Sequence, residues 1–326
     1  MSVLESPQPP GPARAAAPAG ATRAGRPGLL ADAITLVRPL HSAKSVLAVP
    51  LVLLDAPAWT LGLLERVGFA VAAFVLASGA VYIGNDIADR HRDREHPVKR
   101  NRPIAAGRIS VRAGYLYCVL LLAALGAVIA AGPTRAYWPL LVYMALNVAY
   151  SRGLKHIPLV DVGIIAFGFV LRVVQGYVAT GTEVSGWLLI TVFSLALLMI
   201  SGKRRNELTQ SGALHRPALR GYSVEFANHL LQFSCVLTFV AGLTYLRTEA
   251  PFGPYSQLAM LFSTPFAFLA LFRFLQVVIV DDSGGDPVRV LLRDRAMVGT
   301  CMLWGLVLGA TLAVAHYPGV LRAVAL

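Results

Sequence analysis

Charge is scarce in this chain. Only 14% of its 326 residues are Asp, Glu, Lys or Arg, whereas a water-soluble chain carries about a quarter. With 56% of residues hydrophobic and a mean hydropathy of +0.63, that scarcity excludes a soluble globular protein and indicates an integral membrane protein. Cysteine is scarcer still. Cys118, Cys235 and Cys301 each lie in an apolar run with no neighbouring Cys or His at ligand spacing, so neither a disulfide framework nor a Cys-based metal site is expected. Acidic residues are outnumbered, 17 against 29 Lys and Arg, for a net charge of +12. The basic residues fall between apolar runs, as in loops at the cytoplasmic face of a membrane, so the excess is assigned to topology and no nucleic-acid partner is expected.

What the chain has instead is long apolar runs. A membrane-spanning helix needs roughly 20 mostly apolar residues, and nine runs qualify, near 34 to 54, 67 to 87, 112 to 131, 136 to 150, 158 to 179, 186 to 202, 227 to 246, 255 to 280 and 294 to 316. The fourth is the shortest. Lys and Arg concentrate in residues 1 to 45, 90 to 112, 152 to 155, 203 to 220 and 289 to 295, while the alternate connections hold only Arg66, Arg135 and Arg247. That bias puts the N-terminus in the cytoplasm and the C-terminus outside, as an odd number of spans requires. The expectation is an all-α protein of the cell (inner) membrane. Residues 1 to 28, rich in Pro, Ala, Gly and Arg, read as a disordered cytoplasmic tail, and 29 to 326 as one transmembrane domain. Oligomeric state stays open, a homo-oligomer included.

The polar residues are not scattered. In the stretch from Tyr82 to Ser110, Asp86, Asp89 and Asp93 stand at i, i+3 and i+7, and Asn85 and Asp89 at i, i+4. On a helix these spacings aim all four towards one side. Clustered carboxylates repel each other, and a hard cation relieves the repulsion; Mg²⁺ takes a few carboxylate oxygens together with substrate phosphate oxygens. The adjacent Arg92, Arg94, Lys99, Arg100 and Arg102 suit the anion such a metal would hold. His91-Arg92-Asp93 matches the opening of a kinase catalytic loop, but Val98 replaces the Asn expected five residues after the Asp, so that match is accidental.

Two more polar groups sit at the ends of apolar runs, where ionisable residues are costly and usually functional. Asn147 to Asp161 offers Tyr150, Arg152, Lys155, His156 and Asp161 across a Gly and Pro break, and Ser201 to Tyr222 brings Lys203, Arg204 and Glu207 within about one helical turn. Arg172 lies well inside the fifth run and must face a cavity or a protein partner; with Gln175 at i+3 it is assigned to the cavity wall. Arg273, in the eighth run, is expected to snorkel or to pair with another helix.

NDIADRHRD, from Asn85 to Asp93, resembles the NDxxDxxxD signature of the UbiA-type intramembrane prenyltransferase superfamily. The similarity extends over the chain after about residue 30, and within the superfamily it is greatest to the decaprenyl-phosphate phosphoribosyltransferases. It rests on RP..SAKS from Arg38 to Ser45, DREHPVKRNRPIAAG from Asp93 to Gly107, GLKHIPLVD from Gly153 to Asp161, GKRRNEL from Gly202 to Leu208 and LLRDR from Leu291 to Arg295. The resemblance implies nine transmembrane helices around a central cavity open to the cytoplasmic face. It also implies Mg²⁺-dependent transfer of 5-phosphoribose from phosphoribosyl diphosphate to a polyprenyl phosphate, a step feeding arabinan in some bacterial cell walls. Asn85, Asp86, Asp89 and Asp93 would then hold the metal. Lys44, Lys99, Arg100, Arg102, Lys203, Arg204 and Glu207 would line the phosphates, and Tyr150, Lys155 and Asp161 would position a ribose or acceptor phosphate.

Two departures bear on the choice of substrate. Aromatic-acceptor members carry a second acidic motif after the sixth span, whereas this chain has KRRNEL, which favours a ligand with an additional phosphate. Around Lys44 stand Ser42 and Ser45 in place of the usual aromatic and Asn. The alternative within the same fold is transfer of a prenyl group from a prenyl diphosphate to an aromatic or lipid acceptor. A transporter is disfavoured, because its polar residues would gather at mid-membrane rather than at span ends.

Overall fold

In lipid the backbone has no water to bond, so long apolar stretches with few breakers must satisfy themselves as helices. The computed structural model describes residues 28–38, 45–46, 48–56, 59–95, 99–134, 136–211, 217–281 and 293–316. Lys44 and the expected tail up to residue 27 lie outside the described residues. The helices are α1 (Leu29–Val37), α2 (Leu61–Ala88), α3 (Arg90–Glu95), α4 (Val111–Ala131) and α5 (Trp138–Arg152), followed by α6 (Val160–Thr180), α7 (Gly186–Ser211), α8 (Val224–Thr248), α9 (Ser256–Ile279) and α10 (Arg295–His316). Among the described residues, seven helical stretches are long and apolar enough to cross a membrane, namely α2, α4, α6, α7, α8, α9 with its preceding turn, and α10. The chain is a multi-pass, all-helical membrane protein.

The two remaining apolar runs take other forms. In the first, α1 stops where Arg38 turns to φ 52°, residues 39–44 and 47 lie outside the described residues, and Val49–Leu51 is a 3₁₀ turn that leads into the short helix Val52–Asp55. α5 has only 15 residues, bounded by Pro139 in its first turn and by Gly153 at its end. Starts of the longer helices are set by side-chain caps: Thr60 accepts from Leu63 N, Ser110 from Ala113 N and Ser223 from Phe226 N, at 3.1–3.2 Å.

α2 is the central helix, packed on α4, α5 and α6. Ala70, Ala73 and Ala77 are fully buried on it, and such small side chains let membrane helices approach closely. Gly176 of α6 allows an approach of the same kind, since a Cβ there would collide with the carbonyl oxygen of Val49. α7 and α8 pack along each other, and α9 and α10 complete that side. Large apolar residues such as Phe233, Leu306 and Met302 are left facing outward, as a lipid-facing surface requires. At the end of the bundle away from Asp86, the carboxylate of Asp55 accepts from the hydroxyls of Tyr177 and Tyr245, which ties the short first segment to α6 and α8.

Candidate active site

The acidic motif begins in the last turn of α2 and continues through Asp89 into α3. Asp89 closes α2, with its N–H bonded to Asn85 O at 2.8 Å, and its own carbonyl accepts from Asp93 N at 2.9 Å, so the helical path is barely interrupted. The expected one-sided cluster resolves into two pairs. Asp86 and Asp93, seven residues apart and both buried, share one guanidinium: Arg102 Nη1 lies 3.1 Å from Asp86 Oδ1 and 2.6 Å from Asp93 Oδ2. Arg38 Nη2 also donates to Asp86 Oδ1 and lies over the Tyr82 ring. Asn85 and Asp89, at i and i+4, face α5 and the loop that follows it. Asn85 accepts from the Ser151 hydroxyl, and Asp89 accepts from Lys155 Nζ at 2.6 Å.

Among the described residues no three Asp, Glu, His or Cys side chains converge on one point. The oxygen donors of this motif, carboxylates and one amide, suit Mg²⁺, which takes one or two protein carboxylates and leaves the remaining positions to water and substrate phosphate. The arrangement does not fit a cage of protein ligands only.

The basic residues divide by task. Arg108 grips Asp32 through Nε at 2.9 and 3.0 Å and bonds Asn101 O, and Arg94 bonds Ala105 O at 3.1 Å. Those two shape the loop after α3. Lys99 and Arg100 sit in the 3₁₀ turn Lys99–Asn101, Lys99 half-buried and Arg100 exposed.

The second motif, at the end of α7, is built around a buried charge. Arg204 is 2% exposed, with Nε on Asp161 Oδ2 at 2.9 Å and Nη1 on Glu207 Oε2 at 2.8 Å. A charge so buried needs a carboxylate partner, and here it has two. Asp161 also accepts from the Tyr222 hydroxyl at 2.9 Å. Lys203, one position before Arg204, is exposed, and Tyr150 is half-buried in the last turn of α5, close enough to Arg204 to interact electrostatically.

The deeper residues are turned towards protein. Arg172 donates to Ser45 Oγ at 3.0 Å, to Gly168 O at 2.6 Å and to the Tyr143 hydroxyl at 3.0 Å, and it lies over the Tyr143 ring at 4.5 Å. Gln175 donates to Ala136 O. Arg273 pairs with Asp294 at 2.7 Å, the helix-to-helix alternative of the two expected for it.

Three contributors were not singled out as site residues from the sequence: Arg38, Ser151 and Tyr222. Arg38 stood in the RP..SAKS match, where Lys44 drew the attention. Ser151 falls four residues after Asn147, on the face that meets α2, and only the packing of α5 on α2 reveals it. Tyr222 carried no signal beyond its place in a polar connection.

Comparison with known proteins bears on the family and the fold. The family model described as the UbiA prenyltransferase family matches residues 46–293. The decaprenyl-phosphate phosphoribosyltransferase of Mycobacterium tuberculosis is 32% identical over 300 residues, which is 87% of this chain and 95% of that protein. Its counterpart from Corynebacterium glutamicum is 33% identical over 290 residues, covering 85% and 86%. Among solved structures, a UbiA homolog from Archaeoglobus fulgidus bound to GPP and Mg²⁺ superposes with a TM-score of 0.62 at 20% identity, over 87% of this chain and 99% of that one. At that identity the likeness speaks for the fold.

Proposed function

Because this chain belongs to the UbiA prenyltransferase family and is a membrane-embedded transferase, we propose that it carries out Mg²⁺-dependent transfer of 5-phosphoribose from phosphoribosyl diphosphate to a polyprenyl phosphate. The observation that carries this reading is that each acid of the first motif is met by a cation from elsewhere in the chain: Asp86 by Arg38, Asp86 and Asp93 by Arg102, and Asp89 by Lys155. A ligand with several phosphates gives those cations a new partner when the carboxylates turn to a metal. Phosphoribosyl diphosphate has three phosphates, and the second motif adds positive rather than negative charge.

Asn85, Asp86, Asp89 and Asp93 are the residues that would hold Mg²⁺. Bound there, the metal offsets charge on the leaving diphosphate. Arg38, Arg102 and Lys155 orient the diphosphate through charge-assisted hydrogen bonds, stabilising the charge that develops as the C1–O bond breaks. Lys99, Arg100, Lys203 and Tyr150 are assigned to the remaining phosphates. Asp161, Arg204 and Glu207 form a wall of mutually satisfied charge that keeps the pocket in shape. An oxygen of the acceptor phosphate, already anionic, bonds to C1 as the diphosphate departs with the electron pair, so no strong general base is called for.

The isoprenoid tail is read as lying among the helices. An apolar cavity of about 330 Å³ between α7, α8, α9 and α10, walled by residues such as Leu195, Phe239, Phe274 and Trp304, has room for part of such a chain. Nine helical runs around a cavity open to the cytoplasm, in the inner membrane with the C-terminus outside, complete the reading. The test is to offer purified membranes labelled phosphoribosyl diphosphate and a polyprenyl phosphate. Label in the lipid fraction is expected; none above background, with diphosphate released from a prenyl diphosphate instead, would establish the prenyl-transfer alternative.

A further inference from the structure

The loop that carries Lys155 contains a backbone conformation that an L-residue rarely adopts. Leu159 stands at φ 64°, ψ −41°, and Val160 N bonds back to Pro158 O at 2.8 Å. This is a γ-turn of positive φ, which is strained and persists only where its surroundings over-determine it.

Here the surroundings come from the connection between α7 and α8. The Tyr222 hydroxyl accepts from Leu159 N at 2.9 Å and donates to Asp161 Oδ1 at 2.9 Å, bridging the two sides of the turn. Immediately before it, the backbone of Gly221 lies so close to the loop that a Cβ would come within 2.8 Å of Pro158 Cβ and closer still to its Cγ. Tyr222 is buried, its ring tilted against Phe226. Burial pushes its phenol up to about 12, so the hydroxyl stays protonated and able to donate throughout the neutral range.

From the turn the loop runs back through Ile157 to the 3₁₀ segment Leu154–His156, and Lys155 on that segment reaches Asp89. We propose that Tyr222 is a positioning residue: its hydroxyl holds the strained turn at Leu159, and through the turn it holds Lys155 at the acidic motif. The connection between α7 and α8 would thereby set the geometry of the one between α5 and α6. The part concerning Lys155 rests on its proposed place among the phosphate-binding cations, whereas the part concerning the loop stands on the strained turn and the two hydrogen bonds of Tyr222.

Two measurements on the full chain in lipid nanodiscs separate these parts. Hydrogen exchange without any ligand, comparing wild type with Tyr222→Phe, is expected to show amides of residues 154–160 exchanging about tenfold faster, the equivalent of one lost hydrogen bond. Exchange in α4, which is distant from the clamp, is expected to stay unchanged. Unaltered exchange at 154–160 would overturn the proposal. If Tyr222→Phe cannot be recovered folded, Gly221→Ala disturbs the same contact from the backbone side, and unaltered loop exchange in that variant overturns it equally.

The second measurement is a double-variant cycle with Lys155→Ala, read as kcat and KM separately. Tyr222→Phe is expected to cost little once Lys155 is gone, because both act through one contact. Fully additive losses would refute the link to Lys155. Failure of phosphoribosyl transfer itself leaves the exchange result intact, so the functional reading and this one fail independently.

Discussion

Lys155 Nζ lies 2.6 Å from Asp89 Oδ1, joining the end of α2 to the loop between α5 and α6 across 66 positions of sequence. The same loop ends at Asp161, which Arg204 of α7 and Tyr222 hold at 2.9 Å. One short connection therefore touches both polar motifs. A change at either end has a path to the other.

Metal affinity is expected to depend on the anion. With Arg38, Arg102 and Lys155 on the carboxylates, Mg²⁺ alone must displace three cations, whereas Mg²⁺ with diphosphate offers them new partners. Titration calorimetry is expected to show Mg²⁺ binding at least about tenfold tighter with diphosphate than without, within the usual range of about 5- to 150-fold for coupled sites. Tight binding of Mg²⁺ by itself would contradict the charge exchange. Chelation should abolish turnover without lowering Tm, since the described ligand residues are already satisfied by protein partners.

Asp86 and Asp89 should separate activity from stability. Either change to Ala is expected to abolish turnover while the protein still inserts into membranes. Asp86→Ala also leaves Arg38 and Arg102 facing each other near a buried site, at a cost of about 1–3 kcal/mol after allowing for their partial exposure. Asp89 is more exposed, so its loss should cost less than about 1 kcal/mol. Equal shifts of Tm for the two variants would contradict this division.

Arg204 and Lys203 are neighbours with opposite tasks. Arg204→Ala takes the cation away from the buried Asp161 carboxylate and is expected to destabilise the fold by about 3–5 kcal/mol. Lys cannot replace it, because one ammonium does not reproduce the fork that reaches both Asp161 and Glu207. Lys203→Ala should cost less than about 1 kcal/mol of stability, as expected of an exposed charge, and mainly raise KM for the phosphoribosyl donor. An unchanged KM would remove Lys203 from the binding site.

The clamp at Tyr222 gives a defined alkaline limit. Its phenol titrates near 10 when free and is raised to about 12 by burial in the folded chain. The folded state thus favours the protonated form. Its contribution to stability is complete below pH 10 and is lost as pH rises from 10 to about 12. The Tm difference between wild type and Tyr222→Phe should be flat from pH 6 to 9 and shrink above 10; a difference that shrinks between pH 6 and 9 would point to another group.

The motif from Asn85 to Asp93 could be read from residue types and spacing because all its members lie on one helical path, whose period is known in advance. That Asp86 and Asp93 fall together while Asp89 joins Asn85 on the neighbouring side also follows from helical geometry. Which cations meet them does not. Arg38 and Lys155 reach the motif from 48 and 66 positions away, and a point charge in a loop carries no periodic signal of its destination. Arg204 looked like part of a phosphate cradle because it stands in a basic run, yet its burial with Asp161 and Glu207 depends on how α7 crosses α6. Arg172 shows the reverse. Its depth in an apolar run demanded a partner, and packing chose Ser45, Gly168 and Tyr143.

By itself the sequence determined the solvent, the helical class and the family, because hydropathy, run length and motif spacing are local properties. Tertiary structure alone decided how the charges are shared. It placed Arg38, Arg102 and Lys155 on the acids, buried Arg204 between two carboxylates, and set Tyr222 across the strained turn at Leu159. Apart from Arg102, which returns from the loop directly after α3, these depend on the relative position of segments far apart in the chain, and that position comes from many small contacts summed over the whole interior rather than from any one segment.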